Sequence, residues 1–158
     1  MSVELSSLIQ KPGLKFRFFV GGEPVSRGEI EDMSMLPKPV FKGGATDRLW
    51  TIEPVEIAPD SSKPLVCLLK CDGVLVGQRD FLVWAFLDEN DQAGIAKWVV
   101  SPGQDVDGQT KLNIALIDSP FAWRDPDHIP NDGSRPKQIP LTESFVPEYR
   151  FTLEPVFE

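Results

Sequence analysis

The chain has few of the side chains on which catalytic and metal sites usually depend. Its 158 residues include one histidine, His128, and no Gly-x-Ser-x-Gly nucleophile motif, phosphate-binding glycine loop or zinc-ligand pair. A histidine beside an aspartate, as His128 is beside Asp127, could act as a base or bind a metal. No second histidine or suitably spaced cysteine accompanies it here. The acidic turn at residues 88–91 lacks the ligand spacing of an EF-hand. We therefore predict that the protein is not an enzyme and holds no metal or cofactor.

Clustered positive charge and long apolar runs are also absent. The chain has 16 basic and 24 acidic residues, a net charge of −8, and no basic stripe with interleaved aromatics. This composition makes nucleic acid an unsuitable partner. No apolar run approaches the ~20 residues that span a bilayer, and the first seven residues lack the basic and apolar regions of a signal peptide. We expect a cytoplasmic monomer without membrane association.

Uninterrupted helices are disfavoured, because 15 prolines and 12 glycines are spread along the chain. This pattern favours many short strands joined by structured loops. Cys67 and Cys71 lie four residues apart on one predicted strand, and thus on one face about 13 Å apart at a rise of about 3.3 Å per residue. That separation is too large for a disulfide. We predict that both cysteines are reduced and lie in the core.

What the sequence does contain is a repeat. An aromatic residue begins a short strand that ends in proline four residues later, at Trp50–Pro54, Trp98–Pro102 and Phe151–Pro155. The three aromatic residues lie 48 and 53 residues apart. A second motif recurs with the same spacing. It consists of a strand of alternating apolar residues, a turn, and then one residue that aligns with its counterparts in the other two repeats. Its strands begin at Leu14, Leu65 and Leu112, its turns are Gly21-Gly22, Asp72-Gly73 and Ser119-Pro120, and its equivalent residues are Val25, Val76 and Trp123.

Two motifs in one phase predict the fold as a whole. We predict an all-β protein, specifically a β-trefoil: three repeats of about four strands with pseudo-threefold symmetry, forming a six-stranded barrel capped by three hairpins. One domain would cover residues 1–158, with repeats at about 12–62, 63–109 and 110–158. Trp50, Trp98 and Phe151 would then be core residues. The alternative is chance similarity among the amphipathic strands of another β-sandwich.

Two further segments are assigned from local pattern. Phe81–Leu87 is apolar at successive positions, which predicts a strand buried on both faces. The segment 27–36, between predicted strands, is too short and too poorly patterned for a helix, and we predict a long loop there. The longest loop is expected from Asp125 to Pro136. Long ordered loops on a β scaffold are frequent binding sites.

The threefold pattern, the acidic segment from Arg27 to Val40 that contains Leu36-Pro37-Lys38-Pro39, and the Trp50 strand together resemble the fungal β-trefoil protease inhibitors. The chain is most similar to the cospin-like serine protease inhibitors of mushrooms, which are related to mycocypins and cocaprins. The likeness is specific over the first third of the chain. Elsewhere it rests on length, repeat phase and the absence of a signal peptide. It implies a cytoplasmic defence protein that inhibits foreign endopeptidases through surface loops.

The resemblance implies particular site residues. In trypsin-directed members an arginine in the loop between the second and third strands enters the protease, and here Arg27, followed by Gly28, begins that loop. A long cation suits a pocket that contains a carboxylate, and a rigid loop presents it at little entropic cost. From the residues alone, a solvated turn residue is the favoured interpretation of Arg27. Which protease class is bound, and through which loop, stays open.

Relatives directed at papain-like cysteine proteases use the first and third loops of repeat one. Here those loops carry Gly21-Gly22 and Gly43-Gly44, and paired glycines suit a narrow wedge as well as any tight turn. Asp72 and Gly73 stand where some relatives place an asparagine against an asparagine-specific protease, so that activity is not expected. Aspartic protease inhibition has no recognisable motif here and remains an alternative.

Two other functions are compatible with the predicted fold. A trefoil lectin would carry an aromatic platform and polar partners in each repeat. The aromatic residues do not recur in phase, because Trp123 aligns with Val25 and Val76, which argues against a threefold sugar site but not against one surviving site. A signalling or scaffold trefoil without a protease target is the remaining possibility.

Overall fold

The structure is a computed structural model that describes residues 14–28, 30–56, 65–88, 90, 94–103, 110–128, 137–143 and 149–156. These residues form thirteen strands and one short 3-10 helix. The strands are β1 (Lys15–Val20), β2 (Glu23–Arg27), β3 (Lys38–Lys42), β4 (Trp50–Glu56), β5 (Leu65–Cys71), β6 (Val74–Arg79), β7 (Leu82–Ala85), β8 (Trp98–Pro102), β9 (Thr110–Leu116), β10 (Phe121–Trp123), β11 (Lys137–Gln138), β12 (Leu141–Glu143) and β13 (Phe151–Val156), and the helix is η1 (Pro126–His128). Within the described ranges no helix could cross a membrane.

Six of the strands close into a ring. Strand β1 pairs with β4 and β13, β5 pairs with β4 and β8, and β9 pairs with β8 and β13, all antiparallel. Each of the six therefore has a neighbour on both sides, and the ring leaves no unpaired edge. This closure supplies a rigid base for the loops that leave it.

Six of the seven remaining strands form three two-stranded units. Strand β2 pairs with β3, β6 with β7, and β10 with β12. The units are joined to one another, because β3 also pairs with β7 and β11, and a bridge links Leu82 to Pro140. The prediction of an all-β fold is confirmed.

The core is aromatic at its centre. Trp50, Trp98 and Phe151 are buried, as the repeat predicts. Their ring centroids lie 5.7, 5.6 and 5.7 Å from that of Trp123, which is also buried. Phe18 adds an edge contact to Trp50, with centroids 5.0 Å apart. Tilted and edge-on contacts of this kind stabilise aromatic clusters beyond the area they bury.

An equivalent hydrogen bond occurs within each of two predicted repeats. The Nε1 of Trp50 donates to the carbonyl oxygen of Val25 at 2.6 Å, and the Nε1 of Trp98 donates to that of Val76 at 3.0 Å. In the third copy Phe151 has no donor to offer. In these two copies the tryptophan of the motif is thus hydrogen-bonded to the backbone at Val25 or Val76, a contact that the sequence did not predict.

The turns follow the prediction in two copies and differ in the third. Gly21-Gly22 and Asp72-Gly73 are two-residue turns in which both residues have positive φ, the pattern of a type I′ hairpin. The third connection extends over residues 117–120, and its positive φ is at Asp118. There Ser119 Oγ accepts from the amide of Phe121 at 3.1 Å and donates to the carbonyl of Leu116 at 3.2 Å, which holds the longer turn.

The prediction of a strand buried on both faces at Phe81–Leu87 is wrong. The strand covers only Leu82–Ala85 and buries alternate residues. Asp80 and Phe81 form the two-residue turn before it, with φ of 56° and 61°, and Phe81 is exposed. Apolarity alone suggested continuous burial, whereas the pairing of Arg79 with Leu82 forces the chain to reverse at Phe81.

Cys67 and Cys71 are free and buried, as predicted. Burial raises the pKa of each thiol to about 12. Both groups are therefore protonated core residues at neutral pH.

Candidate functional site

The loop between β2 and β3, residues 28–37, is the most exposed apolar part of the described chain. Ile30 is 93% exposed and Met33 is 99% exposed, and Met35 and Leu36 are also exposed. Isolated exposed apolar residues are ordinary, but four on one loop mark a surface suited to contact with another molecule. We call residues 28–37 the β2–β3 loop.

Arg27 ends β2 at the base of this loop, and its side chain is turned inward. Its Nη2 lies 2.6 Å from Glu31 Oε1 and its Nε 3.0 Å from Glu31 Oε2, a two-point ion pair. The two side chains are 6% and 11% exposed. Nη1 also donates to the carbonyl oxygen of Cys71 at 3.4 Å. This pair closes the first turn of the loop onto the strand.

A second arginine continues the network towards the next repeat. Arg48 Nη2 lies 3.5 Å from Glu31 Oε1, and its Nη1 lies 2.9 Å from Asp72 Oδ2. Glu31 is therefore shared by two guanidinium groups. The network ties the β2–β3 loop to the turn between β5 and β6.

The far side of the loop is held by Asp32. Its Oδ1 accepts hydrogen bonds from Lys38 Nζ, from Ser34 Oγ and from the Ser34 amide, the last at 2.9 Å. Ser34 Oγ in turn accepts from the amide of Leu36 at 3.3 Å. The hydrogen bond from Lys38, followed by those from Ser34, holds the pKa of Asp32 far below its usual value. The carboxylate is therefore ionised at all but strongly acidic pH.

The two glycine pairs lie at the other end of β2. The amides of Gly43 and Gly44 both donate to the carbonyl oxygen of Pro24, at 2.8 and 3.2 Å. A Cβ at Gly21 would lie 2.8 Å from Lys42 Nζ, so the two pairs flank the same strand end. At about 3.3 Å per strand residue, Gly21 and Gly22 lie more than about 13 Å from Arg27. Gly44 lies nearer, because it packs against Ser26 and the next residue, Ala45, donates its amide to the carbonyl oxygen of Arg27 at 2.9 Å. The structure thus groups the two pairs around the start of β2 and separates only Gly21-Gly22 from Arg27.

The individual glycines differ in surroundings. Gly22 has φ of 80° and open space around it, and with Gly21 it forms one wall of a cavity of about 430 Å³ beside β13. A Cβ at Gly44 would lie 2.3 Å from the carbonyl oxygen of Ser26, so only glycine fits there. Gly28 is half-buried against the ring of Phe41, and a Cβ at Gly28 would lie 3.4 Å from the nearest ring carbon.

A buried lysine fixes the strand end that carries the glycines. Lys42 Nζ lies 2.9 Å from Asp125 Oδ1 and 2.5 Å from Asp127 Oδ2. Burial lowers the pKa of Lys42, but hydrogen bonds to Asp127 and Asp125 outweigh it, and the pKa is raised above its usual value. Lys137 Nζ also contacts Asp127, at 2.6 Å. The start of the predicted long loop is thereby attached to the first repeat.

Few features of the described chain suggest another type of site. In the described part no group of three potential ligands could hold a metal ion. The side chain of His128 lies outside the described residues, as does most of the predicted loop from Asp125 to Pro136. Trp123 is buried in the core and is not a platform for a sugar ring.

The ion pairs of the β2–β3 loop and the exposure of Met33 were not predicted from the sequence. A local signal was present, because Asp32-Met33-Ser34 has the spacing in which an aspartate side chain accepts from the amide two residues ahead. The Arg27–Glu31 pair had no such signal. Its spacing of four residues brings side chains together on a helix, and the described residues from Arg27 to Glu31 form no helix.

Comparison with known proteins gives one structural match. No family model matches the chain, and no curated protein matches it. Among solved structures, the chain is similar to a proteinase inhibitor from Coprinopsis cinerea, with a TM-score of 0.65 and 22% sequence identity. The match covers 90% of this chain and 97% of that one. At this identity the similarity shows a common fold over nearly the whole length.

Proposed function

We propose that this protein is a β-trefoil inhibitor of endopeptidases that acts as a monomer, without catalysis of its own, through the β2–β3 loop. The observation that carries the proposal is this loop, which exposes four apolar side chains while ion pairs at Arg27–Glu31 and Lys38–Asp32 hold both of its sides. The six-stranded ring with three two-stranded units, and the fold shared with the Coprinopsis inhibitor, support the trefoil assignment.

The physics of inhibition favours such a loop. A protease cleft binds an extended segment, and ordering a flexible segment costs conformational free energy at the moment of binding. The ion pairs and the Asp32 hydrogen bonds already order the β2–β3 loop. The remaining binding free energy then comes from burial of side chains that the free protein leaves in water.

Trypsin-like serine proteases are the proposed target if Arg27 enters the specificity pocket. The guanidinium would have to leave Glu31, because it is buried against that carboxylate in the free protein. Gly28 supplies a residue without a side chain next to Arg27, which would ease the rotation. This use of Arg27 and Gly28 stays a prediction.

Cysteine proteases are the second candidate target. The observation that favours them is the placement of Gly21-Gly22 and Gly43-Gly44 at one end of β2, where three of the four glycines are exposed. Two adjacent glycine turns could occupy a narrow cleft without offering a cleavable bond. Aspartic proteases remain a further class in the same test.

The experiment is inhibition of trypsin, chymotrypsin, papain and pepsin by the wild type and a loop variant in which Ile30, Met33, Met35 and Leu36 are each changed to serine. We expect at least one serine protease to be inhibited and the variant to lose that inhibition. Papain inhibition that persists in this variant, but disappears in Gly22→Asn and not in the matched turn variant Gly73→Asn, would assign the action to the glycine turns. Absence of inhibition of all four enzymes by the wild type would refute the proposal.

A further inference from the structure

We infer that the β2–β3 loop is directed at an endopeptidase with an apolar specificity pocket, and that Met33 is the side chain that enters the pocket. The inference rests on the proposed inhibitor function and deepens it. It differs from insertion of Arg27 in both the residue used and the chemistry of the target.

Exposure of large apolar side chains is concentrated at this loop. In the described part of the chain seven such residues are exposed: Ile30, Met33, Met35, Leu36, Val55, Phe81 and Tyr149. Four of them belong to the β2–β3 loop. Met33 is nearly completely exposed, at 99%, so its whole side chain can be removed from water on binding. Burial of a side chain of this size is among the larger single contributions to affinity.

The backbone around Met33 is fixed on both sides. Asp32 Oδ1 accepts from the amide and the hydroxyl of Ser34, which closes a turn with Met33 at its centre. Lys38 anchors the same carboxylate to β3. Met35 occupies a similar turn closed by Ser34 Oγ and the amide of Leu36 at 3.3 Å, but it is less exposed. Met33 is thus the most exposed residue at the best-anchored point of the loop.

The charges of the loop disfavour an acidic pocket. Arg27 and Lys38, the cations at its two ends, are 6% and 4% exposed and are paired with Glu31 and Asp32. Among the described residues between them the charged side chains are these two carboxylates. A carboxylate at the base of a protease pocket would therefore meet like charge and no accessible cation. An apolar pocket needs no cation and accepts the flexible thioether of methionine.

The test changes the side chain at position 33 and compares proteases whose specificity pockets differ in chemistry. Chymotrypsin and subtilisin accept apolar side chains, whereas trypsin requires a cation. We expect the wild type to inhibit chymotrypsin or subtilisin, and Met33→Ala to weaken that inhibition about 30-fold. We expect Met33→Arg to gain trypsin inhibition, because the new cation would stand where methionine enters. Met35→Arg is the matched control and should gain none.

The outcomes separate this inference from the general proposal. Trypsin inhibition by the wild type that Arg27→Ala abolishes, Arg27→Lys retains and Met33→Ala leaves intact would overturn the inference and retain the inhibitor function. The same holds for inhibition of papain or pepsin alone. If Met33→Arg and Met35→Arg gain trypsin inhibition equally, the loop is used but Met33 is not the pocket residue. If the wild type inhibits no protease in the panel, the inhibitor function itself fails. Circular dichroism of each variant verifies that it is folded.

Discussion

Trp50 and Trp123 share the aromatic core but differ at the indole nitrogen. Trp50 Nε1 donates to the carbonyl oxygen of Val25 at 2.6 Å. Trp123 Nε1 is buried and finds no acceptor in the described part of the chain. A buried donor without a partner is unfavourable. A buried hydrogen bond stabilises the fold modestly, but removal of one partner destabilises it, because the other polar group then stays buried and unsatisfied.

Replacement of each indole by phenyl isolates this difference. Trp50→Phe and Trp123→Phe remove the same volume, but only Trp50→Phe also removes a hydrogen bond, the one to the carbonyl oxygen of Val25. We expect Trp50→Phe to lower the free energy of unfolding by about 1–2 kcal/mol more than Trp123→Phe does. Urea denaturation of both variants measures the difference. Equal losses would mean that the Trp50 hydrogen bond contributes nothing to stability.

Arg27 has a structural role that a residue reserved for a protease pocket would not have. Its ion pair with Glu31 is buried, and removal of one member leaves the other charge without its main partner. Arg48 at 3.5 Å offsets part of this loss. We expect Arg27→Ala to lower the free energy of unfolding by about 3 kcal/mol.

Arg17→Ala is the control for Arg27→Ala. Arg17 pairs with Glu154 at 3.7 Å, where the side chains are 34% and 57% exposed. An exposed pair of this kind contributes about 1 kcal/mol or less. A loss at Arg27 no greater than that at Arg17 would show that the guanidinium is not held by Glu31 in solution and is available to a partner.

At the scale of an element, the β2–β3 loop should be held less firmly in strong acid. The folded-state pKa of Asp32 is depressed, so its contribution is complete above the unfolded-state value of about 3.9 and is lost as the pH falls towards the folded-state pKa. Asp32→Asn lacks this titration. We expect the stability difference between wild type and Asp32→Asn to be constant from about pH 7 to pH 5 and to shrink below about pH 4. Urea denaturation across this range tests it, and a difference independent of pH would contradict the Asp32–Lys38 contact.

Elements that depend on local pattern were predictable, and those that depend on the path of the chain were not. The alternation in β5 and the aromatic start of β4 and β8 follow from side-chain periodicity, which is visible in sequence. Phe81 was misassigned because a positive φ at an aromatic residue arises from strand pairing and has no sequence signature. The inward turn of Arg27 likewise depends on where Glu31 folds back, and the residue type alone suggests exposure.

For the whole molecule, the repeat gave the right elements because it constrains distant segments at once. Trp50, Trp98 and Phe151 could be assigned to one core from their spacing, since equivalent positions in repeated units pack in equivalent places. The candidate site had no such support. Met33 and the two ion pairs occur once, in one loop, and nothing elsewhere in the described residues repeats them. Sequence repetition therefore predicts the scaffold better than the loop that carries the function.

Trp123 imposes a limit on how alike the repeats can become. It lies 5.6–5.7 Å from Trp50, Trp98 and Phe151, at a point shared by all three copies of the motif. Val25 and Val76 stand at the equivalent positions of the other copies. Three identical copies would bring either three indoles to a place that holds one, or three valines that leave it unfilled. In this chain the centre is therefore packed asymmetrically, with one indole where the other two copies of the sequence motif carry valine.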